Sequence, residues 1–267
     1  MPEEKPDRGF QFATAEVVQV SHPFRTVRRV VARLPEAADA AAWARANVAF
    51  RIMLRGKYGD ASRIYTVRHC DPALRTITFD IILHEESSPM MEWSARLTEG
   101  TAFDLVGPSQ HLLVPEGAGK VALFLDATGM PALSAILAQA PTPLSGIGWV
   151  QVDDEPYFAE LPVPAGLVLH RIGGSGIGDA ALLQKALELG DPAGFRVWGA
   201  GERKEMRAIR AHFRDKAGLP ASNVAVAGYW TSGLSNSEID AKRREVYARL
   251  LAKGDAPEEF DDLALEL

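Results

Sequence analysis

Val121-Ala-Leu-Phe-Leu125 runs straight into Asp126-Ala-Thr-Gly-Met-Pro-Ala132 and then into the apolar stretch Leu133 to Ala140. A short, unbroken apolar run reads as a strand buried on both faces, and Asp-x-Thr-Gly reads as the turn that follows it. Proline is tolerated in the first turn of a helix, so Pro131 marks a helix start and the segment reads strand, turn, helix. The same grammar repeats downstream. Ile147 to Val152, Leu167 to His170, Phe195 to Trp198 and Val224 to Ala227 supply four more short apolar strands, and helical stretches lie at Asp179 to Leu189 and Glu202 to Ala217. In the latter, Met206, Ile209 and Phe213 share a face, and Gly218 with Pro220 ends it. Strands alternating with helices predict an open parallel sheet with helices on its faces. A last helix is expected from the capping box Ser235-x-x-Glu238 to Gly254.

Upstream of Lys120 the pattern changes. Phe24 to Leu34 alternates Val with Arg, and Asn47 to Leu54 follows an Ala-rich, helix-favouring stretch from Glu36 to Ala46. Thr76 to His84 is the clearest strand, with Ile77, Phe79, Ile81 and Leu83 on one face. Gly- and Pro-bearing turns, among them Gly100 and Gly107-Pro108, separate these segments. Several closely spaced strands with a single helix among them predict a small antiparallel barrel. The expected chain is thus β plus α/β: an antiparallel β-barrel over residues 10–118, an open parallel-sheet α/β domain over 119–254, and an acidic tail over 255–267.

Composition bounds the function. The chain has 267 residues, a net charge of -6 and one cysteine. The acidic balance and the lack of a basic block argue against nucleic acid as a partner. A lone Cys70 excludes a disulfide framework, a thiolate zinc site and an iron–sulfur cluster, and fits a reducing compartment. Met1 to Asp7 is charged without an apolar core, so no secretory signal is expected, and no apolar run approaches the roughly 20 residues of a membrane helix. A cytoplasmic monomer without membrane insertion is the expectation.

Within the barrel region stands Arg63-Ile64-Tyr65-Thr66. Strand alternation puts Arg63 and Tyr65 on one face and Thr66 on the other. A guanidinium forks onto a pyrophosphate, a phenol covers an apolar ring and a hydroxyl bonds a ring nitrogen, which together suit a flavin dinucleotide. An exposed strand with a Tyr–Arg pair accounts for the same four residues equally well.

Three further segments, in order, make the chain resemble the siderophore-interacting proteins, a family of FAD-dependent ferric-siderophore reductases with a ferredoxin-reductase-like arrangement. Asp80-Ile-Ile-Leu-His84 and Ser88-Pro-Met-Met-Glu-Trp93 resemble the family's strand, His and Gly-Pro-Ala-Ser-x-Trp loop. Leu125-Asp-Ala-Thr-Gly-Met-Pro-Ala132 resembles its Asp-Glu-Thr-Ala-Leu-Pro-Ala turn. Trp198-Gly-Ala-Gly-Glu202 and Gly228-Tyr229-Trp230 complete the set. The chain departs from the pattern at Met91, where the family has Ser in the pyrophosphate loop, at Ser88 for Gly, at Ala127 for an acid, and at Thr231 for Arg.

The resemblance implies a barrel that binds FAD and an α/β domain that binds NAD(P)H. By it Arg63 meets the FAD pyrophosphate, Tyr65 the isoalloxazine and Thr66 the region of N5. Asp80, His84 and the backbone at Met91 join the FAD set, although His84 reads equally as a satisfied strand-end histidine. Thr128 and Gly129 would present donors to the dinucleotide, with Asp126 as a helix cap. Gly201 and Glu202 sit where a nicotinamide approaches or where a tight turn simply enters a helix. Trp230, with Tyr229, would cover a ring at the sheet's carboxyl edge. Gly173-Gly-Ser-Gly-Ile-Gly178 lacks Gly-x-Gly-x-x-Gly spacing and reads as a loop. The substrate by resemblance is a ferric siderophore, often anionic, for which Lys57, Arg203, Lys204, Lys242, Arg243 and Arg244 are candidate contacts; a solvated helix face is the plainer account of the last three. Arg203 and Lys204 also lean toward NADPH. Two other readings fit the same sequence: a flavin reductase serving another acceptor, and a non-enzymatic siderophore carrier.

Overall fold

The computed structural model describes residues 11–59, 61–84, 88–117, 119–174, 179–233 and 238. The chain divides into two units, residues 1–111 and 112–267.

The first unit contains β1 (Gln11–Phe24), β2 (Val27–Arg33), α1 (Ala40–Trp43), β3 (Val48–Met53), β4 (Ser62–Asp71), β5 (Thr76–Ile82), α2 (Pro89–Ala95) and β6 (Ala102–Gln110). The six strands close into a barrel in the order β1-β2-β5-β4-β3-β6, with β1 pairing β6 and every pairing antiparallel. Closure removes free strand edges, and alternation fills the interior with side chains from every strand. An aromatic chain runs through that core. Phe50 and Phe79 meet edge to face with centroids 5.1 Å apart, and Phe103 joins Phe79 to Trp93. The Ala-rich segment gives only one helical turn, α1. The Asp39 carboxylate starts it by accepting the Ala41 and Ala42 amides, and Arg75 takes the carbonyls of Pro35, Glu36 and Ala38, which keeps the preceding residues out of helix. Burial of Trp43 then decides where the turn sits, overriding local propensity.

The second unit contains β7 (Lys120–Asp126), a 3₁₀ turn (Ala127–Gly129), α3 (Met130–Gln139), β8 (Gly146–Gln151), α4 (Glu155–Ala159), β9 (Leu167–Ile172), α5 (Ala181–Glu188), β10 (Phe195–Glu202), α6 (Arg203–Ala211), a π-helical turn (His212–Lys216) and β11 (Val224–Trp230). The sheet is parallel throughout, in the order β11-β10-β7-β8-β9. From β7 the chain builds β8 and β9 on one side, then returns to build β10 and β11 on the other. The strand order therefore reverses between β7 and β10, the switch point where open α/β sheets hold ligands. Residues 112–117 count with this unit rather than with the barrel: Trp198 Nε1 donates to the Leu112 carbonyl at 2.9 Å and Arg196 donates to the Pro115 carbonyl at 2.7 Å. Apart from Glu238, the expected final helix lies outside the described residues, as do the tail 255–267 and the last four residues of the glycine run. Among the described residues, no helix is long and apolar enough to cross a membrane.

Candidate functional site

On the barrel, the tetrad lies on β4 as expected. Arg63 pairs with Ile52 of β3, Tyr65 with Phe50 and Thr66 with Ala49. Tyr65 is buried, its ring 5.5 Å from Phe79 and 6.4 Å from Phe50, yet its hydroxyl has no hydrogen-bond partner. An orphaned phenol O–H inside a barrel costs about 1–3 kcal/mol of desolvation unless something accepts from it. Half-buried Arg63 makes no hydrogen bond or ion pair among the described residues, and its charge acts on the Tyr65 phenol. Thr66 is buried at the next position. A spare donor and a spare cation on one strand fit a phosphate-bearing ligand such as FAD.

Burial pushes the Tyr65 phenol up to about 12 from its ordinary 10, against the opposing pull of Arg63. A raised folded value means that the stability this group contributes is full below pH 10 and is lost as pH climbs toward 12. Over two units that amounts to about 3 kcal/mol. Tyr65→Phe is expected to abolish that share of the alkaline loss in urea unfolding of the flavin-free protein, and to leave neutral-pH stability unchanged or slightly higher.

Asp80 is committed to the barrel's own arginines. Its fully buried carboxylate takes a forked pair of bonds from its β2 register partner Arg29, 2.7 and 2.9 Å, and a third from Arg68 of β4 at 3.3 Å. With both oxygens engaged, it anchors two arginines. Arg68, next but one after the tetrad, is the residue the sequence reading passed over; the strand register that aims it at Asp80 has no sequence signature. The Met91 amide donates to the Ser88 hydroxyl at 3.2 Å, capping α2, and its half-buried side chain packs on the barrel core. His84 is exposed just past β5. Lys57 is exposed on the turn before β4, its Nζ 5.0 Å from the Tyr58 ring centre.

At the switch point of the second unit, Asp126 governs the geometry. Its buried carboxylate accepts from the Thr128 amide (2.8 Å), the Thr128 hydroxyl (2.6 Å) and Trp230 Nε1 (2.7 Å), with the Glu202 amide as a further donor. Burial raises its affinity for a proton and these donors oppose the rise. The cap expected of Asp126 is present, but both Thr128 donors are spent on it rather than left for phosphate. Glycine at 201 is what admits this carboxylate: a Cβ there would stand 2.8 Å from Oδ2. Gly129 likewise lies under the Ala200 carbonyl, 3.0 Å from where its Cβ would be. Both close approaches are to the protein's own atoms. Gly201→Ala is expected to cost about 2 kcal/mol in thermal unfolding and to shift Trp230 fluorescence, because the Asp126–Trp230 bond must move.

Glu202, buried, caps α6 through the Glu205 amide (3.0 Å) and accepts the Ser232 amide (3.3 Å), so its carboxylate is also committed. Glu205 in turn accepts the Leu183 amide (2.9 Å) and caps α5, whose own N-cap residue supplies no side-chain bond. Arg203 is buried and packs over Gly228, whose Cβ would lie 2.9 Å from Arg203 Cγ. It is therefore no exposed contact for a siderophore or a 2′-phosphate; Lys204 beside it is exposed. Trp230 and Tyr229 are half-buried at the end of β11. Lys242, Arg243 and Arg244 lie outside the described residues.

A closed antiparallel barrel followed by a parallel sheet is the frame of the ferredoxin-reductase-like flavoproteins. A ferredoxin reductase of carbazole 1,9a-dioxygenase shares that fold at 14% identity with a TM-score of 0.61, covering 83% of this chain and 70% of that one. Residues 57–112 match the siderophore-interacting FAD-binding domain and residues 118–233 match the siderophore-interacting protein model. The ferric acinetobactin reductase of Acinetobacter baumannii is 30% identical over 258 residues, 93% of this chain and 88% of that protein. The ferric vibriobactin reductase of Vibrio cholerae is 26% identical over 188 residues, 69% of each chain. The structure of a siderophore-interacting protein from Acinetobacter baumannii superposes with a TM-score of 0.86 at 28% identity, covering 91% of this chain and 99% of that one. This chain belongs to the siderophore-interacting protein family, and residues 57–112 carry that family's FAD-binding domain.

Proposed function

We propose that the protein is an FAD-dependent reductase of iron(III) held by siderophores, drawing its electrons from NAD(P)H and acting as a monomer in the cytoplasm. The observation that carries the reading is the pairing on β4 of an uncommitted Arg63 guanidinium with an orphaned, buried Tyr65 hydroxyl. FAD, when bound, supplies the conversion of a two-electron donor into one-electron steps, chemistry that side chains lack. Arg63 would neutralise the pyrophosphate, Tyr65 would donate its unpartnered hydroxyl to the ligand, and Thr66 would offer a short hydroxyl beside them. Asp80 anchors Arg29 and Arg68, holding positive charge on the barrel without itself facing the anion. Lys57, exposed on its turn, is the described residue we assign to attracting an anionic siderophore; Lys242, Arg243 and Arg244 are the further sequence candidates. No general acid or base is needed, since positioning and potential decide an electron transfer. The two electrons of one nicotinamide would suffice for two ferric ions, and iron(II) is held more weakly than iron(III) by hard oxygen chelators.

The test is a visible absorption spectrum of the purified protein, taken anaerobically before and after NADH or NADPH and then after a ferric siderophore. Flavin bands that bleach with the nucleotide and return with the iron complex support the reading. A protein that stays colourless when FAD is added overturns it in favour of a siderophore carrier. Bleaching without recovery points to a different electron acceptor.

A further inference from the structure

The carboxyl end of β8 adjoins the switch point, because Gln151 is the register neighbour of Asp126 across β7 and β8. A dinucleotide whose pyrophosphate meets the end of the first strand of such a sheet lays its adenosine over the end of the adjoining strand. There a carboxylate takes the ribose hydroxyls, or a basic side chain takes a 2′-phosphate. Here the strand runs out as Gln151-Val-Asp-Asp-Glu155. Asp153 is exposed, and its Oδ1 accepts the Gly174 amide at 2.6 Å, which fixes the carboxylate and leaves Oδ2 without a partner among the described residues. Gln151 is 1% exposed and spends its Nε2 on both oxygens of Asp179, at 3.1 and 2.9 Å. That contact fixes the amide's orientation, and its Oε1 is left buried with no partner, an acceptor waiting for a hydroxyl donor. Asp154 is buried as the cap of α4. The neighbouring cation, Arg171, is turned to the Val152 carbonyl (3.3 Å) and to Glu155 (3.5 Å). Among the described residues, the carboxylates of Asp153, Asp154, Glu155 and Asp179 thus stand beside the Arg171 guanidinium, which is already engaged. A phosphate monoester carrying nearly two negative charges meets repulsion here, whereas a ribose hydroxyl meets acceptors.

We propose that this strand end selects the non-phosphorylated dinucleotide, NADH over NADPH, with Asp153 as the specificity-determining residue for the adenosine ribose. The inference rests on the nicotinamide-dependent reading above and reverses the lean toward NADPH drawn from Arg203 and Lys204.

The test is calorimetric titration of the FAD-loaded full chain with ADP-ribose and with its 2′-phosphorylated form, beside kcat/KM for NADH and NADPH. A preference of about tenfold or more for the non-phosphorylated member of each pair is expected, as a charge-assisted hydrogen bond supplies. Asp153→Asn is expected to bring the two affinities to within about threefold, and Asp153→Glu to keep the preference. Equal or tighter binding of the phosphorylated ligand by the unaltered protein overturns the proposal, as does an unchanged ratio in Asp153→Asn. If neither ligand binds and neither nucleotide is consumed, the nicotinamide reading falls and this inference falls with it, an outcome distinct from consumption of both alike.

Discussion

Arg63→Met raises the dissociation constant for FAD by about 100-fold, the loss of roughly 2.7 kcal/mol that a charge-assisted contact to a phosphate supplies. The flavin-free barrel is expected to keep its stability, because the Arg63 side chain holds no hydrogen bond or ion pair among the described residues. Methionine retains an apolar stem of similar reach, so packing along β4 survives the exchange. Titration of the flavin-free protein with FAD, followed by quenching of flavin fluorescence, measures the first effect, and urea unfolding measures the second. Wild-type FAD affinity in Arg63→Met would remove β4 from the cofactor site. Arg63→Lys restores only part of the affinity, since an ammonium cannot fork onto two phosphate oxygens.

Asp80→Ala acts on the other side of the division between binding and support. Its carboxylate has no exposed side-chain surface and is forked by Arg29 and approached by Arg68, whose side chains are only 17% and 10% exposed. Removing it leaves two largely buried guanidiniums close together without their shared anion, which costs about 3–5 kcal/mol. A loss of that size consumes much of the stability of an ordinary domain. The barrel is expected to unfold at lower urea than the α/β unit, a split visible when circular dichroism and tryptophan fluorescence no longer report a single transition. Asp80→Asn keeps the shape and one acceptor and is expected to fall between the two. Unaltered unfolding of Asp80→Ala would mean that the ion pair contributes nothing net to the barrel.

The two substitutions show how differently the sequence discloses its residues. Arg63, Tyr65 and Thr66 are contiguous, and their chemistry is legible because strand alternation fixes their relative directions. The alternation of barrel strand and parallel-sheet grammar was legible for the same reason: Val121 to Leu125 can only be a strand covered on both faces, while Thr76 to His84 has one apolar side. The structural bonds of Asp80, Thr128 and Glu202 are not announced by the sequence, because a polar residue near a ligand-binding turn looks the same in sequence whether it points at the ligand or holds the turn together. What separates the two is register across strands far apart in the chain, such as Arg29 opposite Asp80 or Trp230 reaching Asp126. Arg203 failed for a related reason. The missing side chain of Gly228, 25 residues later, creates the slot in which its stem is buried. The Ala-rich segment 36–46 promised a longer helix than it forms, since neither the Asp39 cap nor the Arg75 clasp is visible as a propensity.

The placement of β7 at the centre of its sheet has a consequence for the nascent chain. Its pairing with β8 closes soon after β8 is made, but on the other side Lys120 waits for Phe195, 75 residues later. At a synthesis rate of about 5–20 residues per second, that wait is roughly 4–15 seconds. For this interval the amides and carbonyls of Val121 to Leu125, on an all-apolar segment, form an unsealed edge on the ribosome. Such an edge is what holdase chaperones bind and what aggregation recruits, so the yield of this protein in cells is expected to depend on the rate of translation between residues 126 and 195 more than on codons elsewhere.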